Sequence, residues 1–187
     1  MSPPIHLPKT NPIDDRSGLW NLQERLLQIA ENRLGPRDAG KKIYQPSWSP
    51  TGPRIRNTPN MDGAYAELHP SAENSWHFAV FQLAHETVHL LNPASGYVTW
   101  LEEGMAVEFS LHALELFELS PIPIAEDSYL LARDLVNRLP GGAFEAGKII
   151  RNFCGSFQNA SSDQMSELFP ACETSLLEEL CRICIPR

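Results

Sequence analysis

Two histidines and a glutamate occupy one short run of the sequence, His85-Glu86-Thr87-Val88-His89. On a helix, positions i and i+4 lie on the same face, so His85 and His89 can present imidazole nitrogens to a single ion. Glu86 then lies beside the first histidine, where its carboxylate can take a proton from a zinc-bound water instead of binding the metal. The run therefore predicts a one-zinc site with its own general base, the chemistry of a metal-dependent hydrolase.

A catalytic zinc normally has three protein ligands and one open position, so a third ligand must come from elsewhere in the chain. His77 lies two helical turns before His85, too far along the helix axis to share the ion. The segment 100–106, which reads Trp-Leu-Glu-Glu-Gly-Met-Ala, supplies carboxylates at the start of the next predicted helix. A short loop lets the two helices lie antiparallel, but the spacing alone does not choose between Glu102 and Glu103.

Taken together, these two segments resemble the HExxH metallopeptidases of the gluzincin group (peptidase MA-like), in particular short members with a WLxEGxA segment after the metal helix. The resemblance covers about Gly63 to Phe109. In that family the glutamate preceding the glycine is the third zinc ligand, which implies that Glu103 completes the site. The resemblance also implies a zincin-like fold.

The same resemblance implies where substrate binds. In such enzymes an upstream strand is the edge on which extended substrate docks, and the corresponding stretch here is Gly63 to Leu68. We therefore expect the substrate-binding residues to include Ala64, Tyr65 and Ala66.

Two parts of the family's site are not fixed by the motif. The best-known gluzincins have an acidic residue four positions after the ligand glutamate, but this chain has Val107 there, so the carboxylate that supports a zinc histidine is unassigned. The oxyanion donor, often Tyr or His in the family, is equally open. The candidates are Tyr97, His112, Tyr129 and Arg133.

The expected function is zinc-dependent hydrolysis of a peptide or protein substrate, with Glu86 as general base. One alternative is a zinc hydrolase of a non-peptide amide or ester, on which the sequence is neutral. The other is a catalytically idle zinc-containing binding module. The intact Glu86 argues against this last alternative, because a structural zinc site has no use for a general base.

The helices and strands that must position these residues can be predicted from the prolines, glycines and capping residues that mark their ends. Ten of the sixteen prolines fall in the first 70 residues, which favours short strands there and helices afterwards. We predict an α+β, mainly α fold. Its helices are 18–33 (capped by Ser17 or Asp15), the metal helix 75–91, 99–119, 125–139, 143–158, 162–168 and 173–184, and its strands are 42–45, 54–56 and 63–68.

The strands suggest a small N-terminal, mainly antiparallel sheet packed on the metal helix, followed by a helical C-terminal half. Residues 1–187 are expected to form a single domain, with 1–16 flexible. Four aromatic residues near the metal helix are expected to fill the core between sheet and helix: Tyr65, Trp76, Phe78 and Phe81.

Composition and charge argue against a membrane span and against nucleic acid as a partner. No apolar run approaches the roughly 20 residues that a membrane span requires. The net charge of −8 and the lack of a basic cluster longer than Lys41-Lys42 argue against nucleic acid. The first residues show no secretory signal, and the four cysteines do not form a disulfide framework, so we expect reduced thiols and a cytoplasmic protein. The sequence does not indicate an oligomeric state.

Overall fold

The computed structural model describes residues 7–94 and 96–185 of the 187-residue chain. The described helices are α1 (Arg16–Leu34), α2 (Trp76–Leu90), α3 (Trp100–Leu116), α4 (Asp127–Asn137), α5 (Ala143–Cys154), α6 (Ser162–Leu168) and α7 (Thr174–Cys181). The strands are β1 (Lys42–Ile43), β2 (Ser47–Trp48), β3 (Arg54–Asn57) and β4 (Gly63–Leu68). Short 3-10 helices cover Pro12–Asp14 and Pro70–Ala72. The prediction of an α+β, mainly helical fold is confirmed.

The sheet differs from the predicted antiparallel one. β1 and β2 pair with β4 in parallel, and β3 pairs with β4 antiparallel. The prediction of a mainly antiparallel sheet is therefore wrong. The physical reason is that β3 lies between β2 and β4 in the chain. The segment that contains β3 makes the connection long enough for β4 to run parallel to β1 and β2.

The first helix and the segment before it are anchored by polar contacts. The Gly18 amide donates to Asp15 Oδ1 at 2.7 Å, so Asp15 is the cap of α1. The Thr10 carbonyl accepts a hydrogen bond from Trp76 Nε1 at 2.7 Å, and Leu7 packs against the core. Of the segment expected to be flexible, residues 1–6 lie outside the described residues, and the rest is held against the fold.

The metal helix α2 begins where Ser75 accepts a hydrogen bond from the Phe78 amide. Its small and aliphatic side chains, not its aromatic ones, fill the space against the sheet: Ala79, Val80 and Leu83 are fully buried, as are Ala64, Ala66 and Leu68 of β4. Phe78 is 42% exposed, so its expected place in the core is wrong. It lies in the first turn of α2, before the buried residues of this helix begin at Ala79. Trp76 and Phe81 are partly buried at the edge of the core.

The C-terminal helices end earlier than predicted. α5 ends at Cys154, because Gly155 adopts a φ of 82° that an ordinary helix cannot continue. α7 ends at Cys181, and the chain then runs extended, with Ile183 forming a bridge to Thr99 and the Cys184 amide donating to the Val98 carbonyl. This extended segment brings Cys184 to the start of α3.

The cysteines Cys154, Cys172, Cys181 and Cys184 are all free thiols. None of the helices in the described ranges has the length and apolar character needed to cross a bilayer.

Candidate metal centre

The predicted ligands come from two helices that pack against each other. His85, Glu86 and His89 lie on α2, and Glu103 lies in the first turn of α3. The Glu102 amide donates to Thr99 Oγ1, which caps α3 and fixes this first turn. All four side chains are buried, so the site is built into the interface between the two helices.

Distances show that the three predicted ligands converge. His85 Nε2 lies 3.0 Å from Glu103 Oε1, and His89 Nε2 lies 3.8 Å from Glu103 Oε2. One ligand atom from each of these residues lies within 4.8 Å of the other two. Two imidazole nitrogens and a carboxylate oxygen match the donor set of a catalytic zinc site with an open fourth position. The cluster can therefore hold a metal ion.

The charge state of Glu103 suits a ligand. Burial raises the pKa of its carboxyl group, but the neighbouring His85 and His89 lower it more, to about 2. Glu103 is therefore ionised at neutral pH and can offer a carboxylate to a cation.

Glu86 follows His85 on α2, and its carboxyl group has a different environment from that of Glu103. Its Oε2 atom is buried and has no hydrogen-bond partner among the residues that the structure describes. Burial raises the pKa of Glu86, against the opposing effect of His85 and His89. A carboxyl group with a free oxygen and a raised pKa can accept and return a proton.

Glu102 contacts the second ring nitrogen of His89. Its Oε1 lies 2.8 Å from Nδ1 of His89, and both side chains are buried. Burial alone would lower the pKa of His89, but the hydrogen bond and charge of Glu102 raise it to about 10. The family pattern would place an acidic residue at position 107. In this chain the carboxylate that contacts His89 instead belongs to the acidic pair Glu102-Glu103 in the first turn of α3.

A cleft of about 290 Å³ opens onto the cluster. Its lining includes Pro53, Arg54 and Ile55 at the start of β3, together with Tyr129 of α4. Cys184 lines this cleft, and burial raises the pKa of its thiol to about 11, so the thiol is protonated at neutral pH. The cluster that could hold a metal ion therefore lies at a cleft.

Of the four candidate oxyanion donors, the structure brings one to the cleft. Tyr129 lines it, with its ring centroid 5.3 Å from that of His85. Tyr97 is 79% exposed and lies outside the cleft lining, and His112 packs near Phe144. Arg133 donates to Glu108 at 2.7 Å, away from the metal centre.

The predicted substrate-binding residues are not at the cleft. β4 pairs with three strands and is the central strand, so the prediction that it forms an open edge is wrong. Ala64 and Ala66 are completely buried beneath α2, and Tyr65 is likewise absent from the cleft lining. The short β3, which pairs antiparallel with β4, takes the position beside the metal centre instead.

Comparison of the chain with protein-family models, with curated protein sequences and with solved structures finds no significant match to any of them.

Proposed function

We propose that this protein is a zinc-dependent peptidase with a gluzincin-type, zincin-like active site. The observation that carries the proposal is the convergence of His85, His89 and Glu103 at a cleft that Glu86 also lines. A site with a structural role alone would have no need for a buried general base beside an open cleft.

The ligands are assigned by the atoms that converge. Nε2 of His85, Nε2 of His89 and the carboxylate of Glu103 would hold the ion. Zinc bound there would act as a Lewis acid toward the substrate carbonyl and would lower the pKa of a water molecule.

Glu86 moves the proton. Its carboxylate, which lines the cleft, would accept a proton from the attacking water and return that proton to the amine that leaves. Burial raises the pKa of Glu86, which makes its carboxylate a stronger base than an exposed glutamate.

Tyr129 is the proposed oxyanion donor. Burial and the nearby charge of Glu103 raise the pKa of its phenol, so the hydroxyl group stays protonated at neutral pH. A protonated phenol at the cleft can donate a hydrogen bond to the oxygen on which negative charge develops.

A peptide substrate is favoured by the backbone of β3. The Thr58 amide donates to the Gly63 carbonyl, and the same register makes Ile55 and Ala66 a pair without mutual hydrogen bonds. The N–H and C=O groups of Ile55 therefore point away from β4, on the strand that lines the cleft. An extended peptide can pair with these groups, as in other cases of strand addition.

The test compares three single variants of the full chain. Glu86→Gln is expected to retain zinc and to lose cleavage of a peptide library, and Glu103→Ala is expected to lose zinc. Glu115→Gln makes the same chemical change as Glu86→Gln at an exposed position of α3 and is expected to preserve both zinc and cleavage. Zinc content is measured by atomic emission and cleavage by mass spectrometry.

Two results would contradict the proposal. Wild-type zinc content in Glu103→Ala would remove that ligand from the site. Full cleavage by Glu86→Gln would show that the observed hydrolysis does not depend on the proposed base.

A further inference from the structure

The ring of His89 has a carboxylate of α3 near each of its nitrogens. Nδ1 lies 2.8 Å from Glu102 Oε1, and Nε2 lies 3.8 Å from Glu103 Oε2. The first distance is that of a hydrogen bond, whereas the second is too long for one. Nε2 is therefore the atom that remains for His89 to offer to the metal-holding group. The two nitrogens of this ring therefore have different neighbours and different tasks.

Packing alone does not explain why a glutamate occupies the buried position 102. The residue is only 3% exposed, and its Oε2 atom has no hydrogen-bond partner among the described residues. A buried carboxylate loses its hydration, and an apolar side chain of similar size would fill the same space at lower cost. The first turn of α3 offsets part of this cost, because a helix N-terminus favours negative charge.

We propose that Glu102 is a positioning residue for the metal site. By accepting a hydrogen bond from Nδ1–H of His89, Glu102 fixes the tautomer in which Nε2 carries the lone pair that faces the ion. Its negative charge also makes the imidazole a stronger donor to a metal. The inference rests on the metal site of the proposed function, but it concerns metal affinity and not hydrolysis.

The arrangement gives two consecutive residues two roles. Successive positions on a helix are rotated by about 100°, so Glu102 and Glu103 reach different atoms of the histidine pair. Glu103 reaches Nε2 of His85 at 3.0 Å, and Glu102 reaches Nδ1 of His89. The support that Val107 cannot give thus comes from the residue before the ligand.

The experiment measures zinc affinity by competition with a chromophoric chelator, using the full-length chain and its Glu102→Ala and Glu102→Gln variants. We expect Glu102→Ala to bind zinc about 10 to 100 times more weakly. Glu102→Gln should lose less affinity, because its amide oxygen can still accept from Nδ1–H although the charge is gone. The visible absorption spectrum of the Co²⁺-loaded protein should change in Glu102→Ala, since the ring of His89 is free to turn.

The matched control is Thr87→Val on the same helix. Thr87 Oγ1 accepts from Gln23 Nε2 at 2.9 Å in the buried core, so the change destabilises α2 without touching Nδ1 of His89. Thr87→Val is expected to unfold more easily in urea while its zinc affinity and Co²⁺ spectrum stay at wild-type values. Far-UV circular dichroism of each variant shows that the helices are present.

The possible failures are distinguishable. Wild-type zinc affinity in Glu102→Ala overturns the inference and leaves the peptidase proposal standing. An equal loss of affinity in Thr87→Val also overturns it, because affinity would then follow stability. A wild-type chain that binds no zinc overturns both this inference and the proposed function.

Discussion

At the scale of single residues, the site depends on how burial and charge oppose each other. Glu103 stays ionised because two imidazoles outweigh the effect of burial on its pKa, whereas burial dominates at Glu86 and raises its pKa. These two carboxyl groups lie in one cluster and have opposite pKa shifts. Such a separation suits a division of labour between a ligand and a base.

Tyr129 gives the sharpest test of the transition-state chemistry. We expect Tyr129→Phe to lower kcat for peptide cleavage by about 10²- to 10³-fold, because one donor to the developing oxyanion is lost. KM should change little, since the ring that lines the cleft remains. Steady-state kinetics measures both parameters, and zinc content is checked in parallel because Tyr129 also lies near Glu103.

The control for this change is Tyr97→Phe, which removes the same hydroxyl group from a residue that is 79% exposed. Its kcat is expected to equal that of the wild type. An unchanged kcat in Tyr129→Phe would exclude Tyr129 as the oxyanion donor.

The group of side chains that could hold a metal ion was predictable from sequence, because the geometry of its two histidines is local. His85 and His89 are one turn apart on a single helix, so their common face follows from helical periodicity. Tyr129 could only be one of several candidates, since it is 26 positions from Glu103 and reaches the cleft through the packing of α4 on α3. The contact between Glu102 and His89 also needed the relative placement of two helices.

At the scale of elements, close packing between α3 and α4 sets the position of the third ligand. Gly104 follows Glu103 directly, and a Cβ at this position would meet the backbone carbonyl of Ala132 and approach Val136 Cγ1 to 2.6 Å. The small residue is therefore required for α4 to lie where it does. Because α4 carries Tyr129, the same contact places that residue at the cleft.

Gly104→Ala is expected to destabilise the fold by about 1 to 3 kcal/mol, since overpacking against backbone cannot be relieved by side-chain rotation. This cost exceeds the gain of at most about 1 kcal/mol in helix propensity. Gly147→Ala in α5 is the matched comparison, because its Cβ would meet the flexible ends of Leu34 and Met105. Urea denaturation measures both variants, and equal stability of the two would contradict the packing argument.

The helices that the sequence predicted correctly are those whose ends carry strong local signals. Helices α1 to α4 and α6 agree with the predicted ranges to within a few residues, because prolines, glycines and capping residues mark their ends. Strand pairing was not predictable, since strands of two to six residues carry too little pattern to specify their partners. The position of β3 beside the cleft follows from that pairing, so the sequence could not show that β4 is the central strand and that β3 lines the cleft.

At the scale of the whole molecule, one buried side chain connects the N-terminal half of the chain to its helical C-terminal half. Arg151 of α5 donates to the carbonyls of Leu34, Gly35 and Pro36, at 2.9, 2.7 and 2.9 Å. It also donates to Asn92 Oδ1 at 2.6 Å, just beyond the metal helix. These acceptors lie at the ends of α1 and α2, so a single guanidinium group fixes both helices against the C-terminal half.

Arg151→Ala is therefore expected to cost about 3 kcal/mol or more of unfolding free energy, because several buried acceptors lose a charged donor at once. Arg151→Lys should recover only part of this stability, since an ammonium group cannot reproduce the planar fork that spans these acceptors. Arg138→Ala removes the same side chain from an exposed ion pair with Glu173 and should cost less than about 0.5 kcal/mol. Urea denaturation of the three variants measures these differences. If Arg151→Ala were no less stable than Arg138→Ala, the two halves would have to be held together by apolar packing alone.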